Sequence, residues 1–502
     1  MKQYSDLEFL RLSRSQKTWH KVKAFFVSIP QKFKKLGIKI WHSIKGFGLG
    51  IYNFFKDLIV TFIQGDWKTK VSYGIMGFGS IARGQILRGI LFAFFEIVFI
   101  LYMVFFGGHY LSRLYILGEV ESSLDPETGT IVYGENSFNI LLYGVLTLFF
   151  IVAFIYTWNL NIKQNKISEQ IIKDQKKLET AQDDLRALVD KEFHKTLLAI
   201  PTLGILIFTV LPIFFMILVA FTNYDASHTP PLNLFGWVGF DNWAQLFTWE
   251  NSDGASFSMT FGQILLWTLI WAFFATFSNY FIGMLIAMLI NKKGIKLKKL
   301  WRTVLVFSIA IPQFISLLFV SNMFKTDGII NGLFGTSIDF WGNAILARIT
   351  VIVINLWIGV PYLMLVVTGI LMNIPADLYE SANIDGANPW QQYSKITLPY
   401  MLFITGPYLL SQFVGNINNF NIIYLLSAGR PTFGLSSTLG YGDPGQSDLL
   451  ITWIYKMSME AGAEKNYAMA CVLGVLVFLV IATLSLIFYG RSAAVKNEED
   501  FQ

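Results

Sequence analysis

The sequence has little charge and almost no cysteine. Charged residues make up 14% of its 502 residues, whereas a typical soluble domain carries about 25%. Its one cysteine, Cys471, excludes an intrachain disulfide and a cysteine-based metal cluster. Its five histidines include no pair at metal-ligand spacing. With 54% hydrophobic residues, this composition excludes a disordered chain, a disulfide scaffold and an ordinary cytosolic enzyme.

The sequence also lacks the motifs of several catalytic classes. No G-x-x-x-x-G-K-[ST] loop is present, so the chain cannot cradle ATP by the P-loop route. G-x-S-x-G and H-E-x-x-H are absent, as is the metal-binding Asp cluster that a polytopic glycosyltransferase would need. We therefore expect a transport protein rather than an enzyme, with no metal or cofactor of its own and no motor for active transport.

Long apolar runs are what the sequence does have. Since a spanning helix needs about 20 mostly apolar residues, the sequence predicts an all-α polytopic membrane protein with about eight transmembrane helices. The fifth and seventh are the least uniform, because both carry Pro, Gly or Asn. The predicted spans lie near 86–107, 138–159, 197–222, 264–290, 303–324, 344–372, 400–426 and 467–490.

The distribution of Lys and Arg predicts the orientation in the membrane. Positive charge is retained on the cytoplasmic side. Residues 1–45 contain eleven Lys or Arg, the loop 223–262 contains none, and 291–302 contains six. Eight spans that start inside the cell agree with all three segments and place both termini in the cytoplasm. Basic and aromatic residues alternate over 19–63, which predicts amphipathic helices against inner-leaflet lipid rather than a nucleic-acid site.

The segment between the sixth and seventh predicted spans has the pattern of a helix, a turn and a second helix. Pro375 can begin the first helix, and Gly386 can supply the left-handed residue that ends it. Asn388 can cap the second helix, and Leu398–Pro399 is expected to stop it. We call residues 376–399 the knob, since they predict a small folded projection on the cytoplasmic face.

The knob resembles the "EAA" loop in the permease subunits of ATP-driven importers. Glu380-Ser-Ala is followed six residues later by Gly386, and an Ile-x-Leu-Pro sequence begins ten residues after that glycine. Ser381 stands where the family usually has alanine, a small-for-small exchange. The similarity to the larger permease of maltose and maltodextrin importers is strong over 344–490 and looser over spans three to five.

This resemblance implies a type I ABC importer permease fold in a bacterial plasma membrane. It also implies several partners: a second homologous permease, two copies of a cytoplasmic ATPase that bind ATP and Mg, an extracellular sugar-binding protein, and an oligosaccharide such as a maltodextrin. The residues expected to couple the chain to the ATPase are Glu380, Ser381, Ala382, Asp385, Gly386, Ile396, Leu398 and Pro399.

The spans on either side of the knob contain Asn and Gln, which are costly when they face lipid. Amides donate and accept hydrogen bonds and aromatic rings offer flat apolar area, so together they suit an uncharged polyol. The sugar contacts of the maltose permease family fall, residue by residue, at Ile358, Gly359, Tyr362, Gln412, Gly415, Asn416 and Asn419.

Two of these positions depart from the enteric maltose permease. Gly415 replaces a bulky aromatic residue and Gln412 replaces a smaller hydroxyl residue, which predicts a different or longer oligosaccharide. The alternative for all the amides is a structural role, because Asn side chains also pack helices together through interhelical hydrogen bonds. We favour ligand contact for Asn416, Asn419 and Tyr362.

The sequence predicts four segments: a basic amphipathic segment (1–85), two spans with a cytoplasmic helical extension (86–196), the permease core (197–490) and a cytoplasmic tail (491–502). The main alternative function is an ion-coupled secondary transporter that acts alone. It requires buried carboxylates, for which Glu96 is the clearest candidate. A hydrogen bond between helices is the other interpretation of that residue.

Overall fold

Helices dominate the fold. The computed structural model describes residues 42, 45–46, 48–247, 257–292, 294–433, 442–459 and 465–489. Across these ranges, the one sheet is an antiparallel ribbon of β1 (Ser123–Leu124) and β2 (Ile131–Val132). The predicted basic segment up to residue 41 and the predicted tail lie outside the described residues.

The helices have the following bounds, with three short π-helical turns between them. The first part of the chain contains α1 (48–64), α2 (Trp67–Val71), α3 (Phe78–Ile81), α4 (Ile86–Tyr102), π1 (Met103–Gly107), α5 (Gly108–Arg113), α6 (Ser137–Lys173), α7 (Ala181–Val189), α8 (Phe193–Ile205), π2 (Leu206–Val210), α9 (Leu211–Val219) and α10 (Asp241–Gln245). The second part contains α11 (Phe257–Asn291), α12 (Lys298–Ala310), α13 (Gln313–Met323), α14 (Ile329–Phe334), α15 (Ala344–Leu371), α16 (Ala376–Ile384), α17 (Pro389–Gln392), π3 (Tyr393–Thr397), α18 (Leu398–Ile417), α19 (Phe420–Leu426), α20 (Leu450–Ser458) and α21 (Tyr467–Tyr489).

Six of the described helical segments are long and apolar enough to cross a membrane. They correspond to six of the eight predicted spans: Ile86–Arg113, Ser137–Lys173, Phe193–Val219, Phe257–Asn291, Ala344–Leu371 and Tyr467–Ile487. The prediction of about eight spans is roughly consistent with this count. The other two predicted spans, the fifth and seventh, are each divided into two shorter helices.

The breaks fall where the sequence disfavours a continuous helix. In the fifth predicted span, Ile311 has extended backbone (φ −85°, ψ 131°) and Pro312 precedes α13, because proline excludes helical backbone from the residue before it. In the seventh, α18 ends at Ile417 and Asn419 caps the following helix. Both breaks therefore have a local cause.

A proline inside the second helix of the knob is accommodated without ending that helix. In π3, the Leu398 N–H donates to the Tyr393 carbonyl five residues back, so the backbone widens one turn before Pro399, whose ring would otherwise crowd the preceding turn. The turn π2 has the same position relative to Pro212. The prediction that Leu398–Pro399 stops the helix is wrong, since the chain stays helical to Ile417.

The described residues form two compact units. The first contains the described residues up to 108 and 148–202, and the second contains 109–147 and those from 203 onward. In the first unit the side chain of Arg83 is 1% exposed, and its guanidinium donates to Asn165 Oδ1 at 2.6 Å and to Asp66 Oδ1 at 2.5 Å. These bonds satisfy a charge that burial would otherwise penalise.

The core of the second unit is built along α11. Phe257 packs in an apolar cluster with residues of α20 and α21, Trp271 in a second cluster with α13, α15 and α19, and Tyr280 in a third with α15 and α18. All three rings are almost completely buried. Since one helix supplies all three clusters, α11 sets the positions of the helices around it.

Candidate functional site

A cavity of about 440 Å³ lies within the second unit, among α11, the break between α12 and α13, α15, α18 and the start of α19. This volume is within the range of about 300–1,000 Å³ that is common for ligand sites. Its lining residues are Ala275, Thr276, Asn279, Ile309, Ala310, Ile311, Pro312, Gln313, Ser316, Asn355, Trp357, Ile358, Gly359, Tyr362, Leu363, Tyr408, Leu409, Gln412, Asn416, Asn419 and Ile422.

The cavity brings together six of the seven residues predicted to contact a ligand. Ile358, Gly359 and Tyr362 reach it from α15, Gln412 and Asn416 from α18, and Asn419 from the break that follows. The seventh, Gly415, is exposed and is not part of the wall. Residues from two separate predicted spans therefore meet in one place, and Gly415 lies outside the wall.

Asn416 lines the cavity and also makes hydrogen bonds within the fold. Its Nδ2 donates to Thr276 Oγ1 at 3.0 Å, and its backbone carbonyl accepts from Trp271 Nε1 at 3.0 Å. Its Oδ1 accepts from Asn419 Nδ2 at 3.3 Å. The side chain thus fixes the end of α18 against α11 while one face remains in the cavity.

Asn419 positions the helix break. Its Oδ1 accepts from the Ile422 N–H at 3.5 Å and caps α19. A side-chain cap satisfies a backbone donor that a broken helix would leave unpaired. Asn416 and Asn419 therefore both hold the helices together and line the cavity, so a structural role and a ligand-binding role apply to the same side chains.

Three polar groups of the wall have no hydrogen-bond partner. They are Asn279 Oδ1, Asn355 Nδ2 and the hydroxyl of Tyr408, all buried atoms. Asn279 and Asn355 are 6% and 4% exposed, so bulk water does not readily satisfy them. Buried polar groups are nearly always paired, and unpaired ones in a cavity wall indicate groups that a ligand can satisfy.

The predicted ligand residues did not include these three, although Asn355 is one of the span amides that are costly when they face lipid. Asn355 belongs to the polar stretch of the sixth predicted span, and an amide within an apolar run was the available signal. Asn279 is another such amide within α11, and Tyr408 directly follows Pro407 in α18. Neither spacing nor composition assigns them to the cavity, because they meet only when three helices pack.

Gly359 makes room for one of these groups. A Cβ at this position would lie 2.2 Å from Asn279 Nδ2, closer than van der Waals contact permits. The absence of a side chain therefore lets the Asn279 amide lie directly against α15, a close approach that glycine allows.

The described part of the cavity wall has no acidic or basic side chain. Its polar groups are amides and hydroxyls, and its apolar area includes Trp357, Tyr362 and Tyr408. An ion or a charged ligand in a low-dielectric site needs counter-charges, which this wall does not supply. The chemistry fits a neutral ligand with many hydroxyls.

The knob has the caps that the sequence predicts. Gly386 has φ +75°, and Asn388 forms a capping box with Gln391, with Pro389 at the start of α17. The first helix begins at Ala376, with Pro375 as its N-cap. Among the predicted coupling residues, Glu380, Ser381, Asp385, Gly386 and Pro399 are exposed, and Ala382, Ile396 and Leu398 are half-buried.

The knob also presents apolar side chains to its surroundings. Ile384 at the end of α16 is 87% exposed, and Trp390 in α17 is 71% exposed. The two helices are joined by a hydrogen bond from Gln392 Nε2 to Asn383 Oδ1 at 2.6 Å. Large apolar side chains exposed on a rigid turn are typical of a protein-docking surface.

The sequence also matches known proteins. Residues 279–494 match the family described as "Binding-protein-dependent transport system inner membrane component". Over 440 residues the chain is 32% identical to the maltodextrin transport system permease protein MalC of Streptococcus pneumoniae, a match that covers 85% of this chain and 95% of that protein. The chain belongs to this family of transport permeases.

Further matches include a second curated relative and a solved structure. The permease is 31% identical over 440 residues to the galactooligosaccharides transport system permease protein GanP of Bacillus subtilis, covering 84% of this chain and 97% of that protein. Among solved structures, a bacterial ABC transporter involved in the import of the acidic polysaccharide alginate matches at 20% identity and a TM-score of 0.44, over 61% of this chain and 97% of that one.

Family membership decides between the functions that the sequence left open. The permease is a multi-pass membrane component of a transport system, and neither an enzyme nor a secondary transporter that acts alone. Glu96, the carboxylate considered for ion coupling, accepts a hydrogen bond from the Met76 N–H at 2.8 Å through Oε2. Its observed contact is therefore a structural one.

A buried ion pair organises the loop before α20. Asp448 is fully buried and Lys456 is 4% exposed, and Lys456 Nζ donates to Asp448 Oδ2 at 2.7 Å and to the Ala428 carbonyl at 2.9 Å. The Gly445 N–H and the Thr452 hydroxyl also donate to the carboxylate, at 2.7 and 2.8 Å. Burial raises the pKa of Asp448, although the Lys456 charge opposes that shift.

The same loop is bonded to α11 of the permease. Trp267 Nε1 donates to the Ser447 carbonyl at 3.1 Å, and Thr268 Oγ1 accepts from the Leu450 N–H at 3.1 Å. One to two turns further along α11, Trp271 and Thr276 hold the end of α18. One helix therefore bonds both the loop and the cavity wall.

Proposed function

We propose that this permease imports a neutral oligosaccharide of the maltodextrin or galactooligosaccharide class through the cavity. The observation that carries the proposal is the wall itself, in which amides, hydroxyls and aromatic rings surround about 440 Å³ without an acidic or basic side chain among the described residues. Hydroxyl edges suit the amides, and the C–H faces of a sugar ring suit the aromatic residues. The relatives named above transport sugars of both classes.

Energy comes from a separate ATPase that docks on the knob. The ATP and Mg belong to two copies of that ATPase, and a second homologous permease completes the passage. The exposed Ile384 and Trp390 support a protein-docking role, and the knob shares its pattern with the coupling loop of the family. An external sugar-binding protein delivers the sugar, and both termini lie in the cytoplasm.

The mechanism is alternating access between two conformations. Sugar-loaded binding protein biases one conformation and closure of the ATPase pair biases the other, so each partner must contact the two states differently. In this proposal the segments 197–490 carry the transport path, and those before and after it are accessory. The six predicted ligand residues that line the cavity bind the sugar, and Glu380 and Gly386 transmit the closure of the ATPase pair to the permease.

The test is reconstitution of the permease with its partners in vesicles. We expect ATP hydrolysis and uptake to rise when maltodextrins or galactooligosaccharides are added with the binding protein. An acidic oligosaccharide of similar length serves as a control and should have no effect. Uptake in vesicles that lack the ATPase, or equal stimulation by the acidic sugar, would contradict the proposal.

A further inference from the structure

Two buried polar groups of the cavity wall differ from the bonded asparagines. Asn279 Oδ1 on α11 and the Tyr408 hydroxyl on α18 have no hydrogen-bond partner. By contrast, Asn416 and Asn419 are bonded to each other and to neighbouring residues. The wall thus contains both paired and unpaired polar groups.

Two hydrogen bonds between side chains join α11 to α18. Thr276 is bonded to Asn416, and Tyr280 is bonded to Thr405 by their hydroxyls at 2.8 Å. The two helices therefore run antiparallel, and Asn279 lies between these bonds on α11. Tyr408 lies between them on α18, about 12 Å from Asn416 along the helix axis at 1.5 Å per residue.

The position of Asn279 depends on the room that Gly359 leaves. Gly359 has no Cβ, and the Asn279 amide occupies the space where one would stand. The amide is 6% exposed. An acceptor that is held at the wall and left unpaired without ligand is prepared for a hydroxyl donor, and a phenolic hydroxyl can either donate or accept.

We propose that Asn279 and Tyr408 form an inner subsite that binds the hydroxyls of a second sugar ring. The first ring lies at Asn416 and Asn419, and Tyr408 is about 12 Å from Asn416 along α18, so the cavity selects oligosaccharides over monosaccharides. This inference rests on the proposed function, since it assumes that the cavity carries sugar. The competing occupant of the inner subsite is a bound water molecule.

The test uses Tyr408→Phe and Asn279→Leu in the reconstituted complex. Each removes hydrogen-bonding atoms and keeps the approximate volume. For the preferred oligosaccharide, the half-saturating concentration should rise about three- to tenfold, as expected for one lost hydrogen bond, and it should change less for the matching monosaccharide. Without sugar, the thermal midpoint should rise, because an unpaired buried group has been removed.

The matched control is Tyr280→Phe, because that hydroxyl is bonded to Thr405 within the fold and does not line the cavity. It should lower the thermal midpoint and leave the half-saturating concentration unchanged. If water fills the inner subsite, Tyr408→Phe and Asn279→Leu will bind all chain lengths as the wild type does, and the inference is overturned.

Failure of the inference can be told from failure of the proposed function. If oligosaccharides stimulate the wild type and Asn416→Ala weakens that stimulation, the cavity carries sugar whatever the inner variants do. If no oligosaccharide stimulates the wild type while ATP is hydrolysed, the proposed function fails first, and the inner subsite fails with it.

Discussion

Gly359 illustrates how one residue can be required for the space it leaves. The family resemblance places it among the sugar contacts, and it does lie in the wall. The structure adds a packing reason, because Asn279 stands where its Cβ would be. That reason could not be predicted from sequence, since spacing along one helix does not report which side chain approaches from another.

Replacement of Gly359 by alanine should therefore displace Asn279 and weaken sugar binding. We expect the half-saturating oligosaccharide concentration in the ATPase assay to rise, while the amount of protein in the membrane stays the same. The matched control is Gly415→Ala, because a Cβ there meets nothing within 4 Å and that residue lies outside the wall. Equal behaviour of the two variants would count against the packing argument.

Lys456 supports a second prediction for a single residue. Lys456→Met leaves the Asp448 carboxylate buried without its counter-charge, which costs about 3–5 kcal/mol when one partner of a buried pair is removed. Thermal unfolding of the purified complex should show a clear loss of stability. Lys166→Met is the control, because Lys166 and Asp57 are 45% and 50% exposed in their pair, and exposed pairs contribute about 0–1 kcal/mol. If both variants lose a similar amount of thermal stability, burial of the Asp448–Lys456 pair does not explain the effect.

At the scale of elements, the sequence predicted features that depend on a single residue, such as helix caps. It did not predict features that depend on how turns and helices pack together. The caps of the knob at Gly386 and Asn388 could be predicted from the sequence, because glycine and asparagine act on their own backbone. Pro312 was only one reason why the fifth predicted span is less uniform, and the break there was not predicted. The effect of Pro399 was predicted wrongly, since the π turn before it absorbs the proline without ending the helix. The cavity depends on contacts between helices and could be predicted only where the family resemblance supplied residues.

The knob gives a prediction for one element. Gly386 has φ +75°, whereas proline fixes φ near −65°, so Gly386→Pro should misdirect α16 relative to α17. Sugar-stimulated ATP hydrolysis should be lost, while insertion into the membrane is retained. Gly386→Asn is the control, because asparagine tolerates left-handed backbone and should keep most of the stimulation. If an assembled complex that carries Gly386→Pro shows normal sugar-stimulated ATP hydrolysis, the knob does not couple the permease to the ATPase through this turn.

At the scale of the whole molecule, apolar run length predicted the membrane class and most of the spans. The two interrupted spans show the limit of this approach, because a run of adequate hydropathy can still contain a proline or a cap. The packing of the spans was also beyond the sequence. In the most apolar windows of the α11 and α15 spans 44% of residues are buried, against 6% for the first span, so the core of the second unit is centred on those two helices.

The charge distribution gives a prediction for the whole chain. The single cysteine, Cys471, is half-buried within α21, and Cys471→Ser gives a background without thiols. In that background, a membrane-impermeant maleimide applied to intact cells should label Phe240→Cys and not Ile384→Cys, since both positions are exposed and only the first belongs to the loop without Lys or Arg. The reverse pattern would invert the orientation.

The hydrogen bonds along α11 connect two parts of the second unit, the loop before α20 and the end of α18. Trp267 and Thr268 are bonded to the loop at Ser447 and Leu450, and Trp271 and Thr276 are bonded to Asn416 in the cavity wall, within about 14 Å of axial rise. A displacement of that loop would therefore be transmitted through α11 to the cavity wall. An antibody fragment that clamps that loop should arrest import without entering the passage at all.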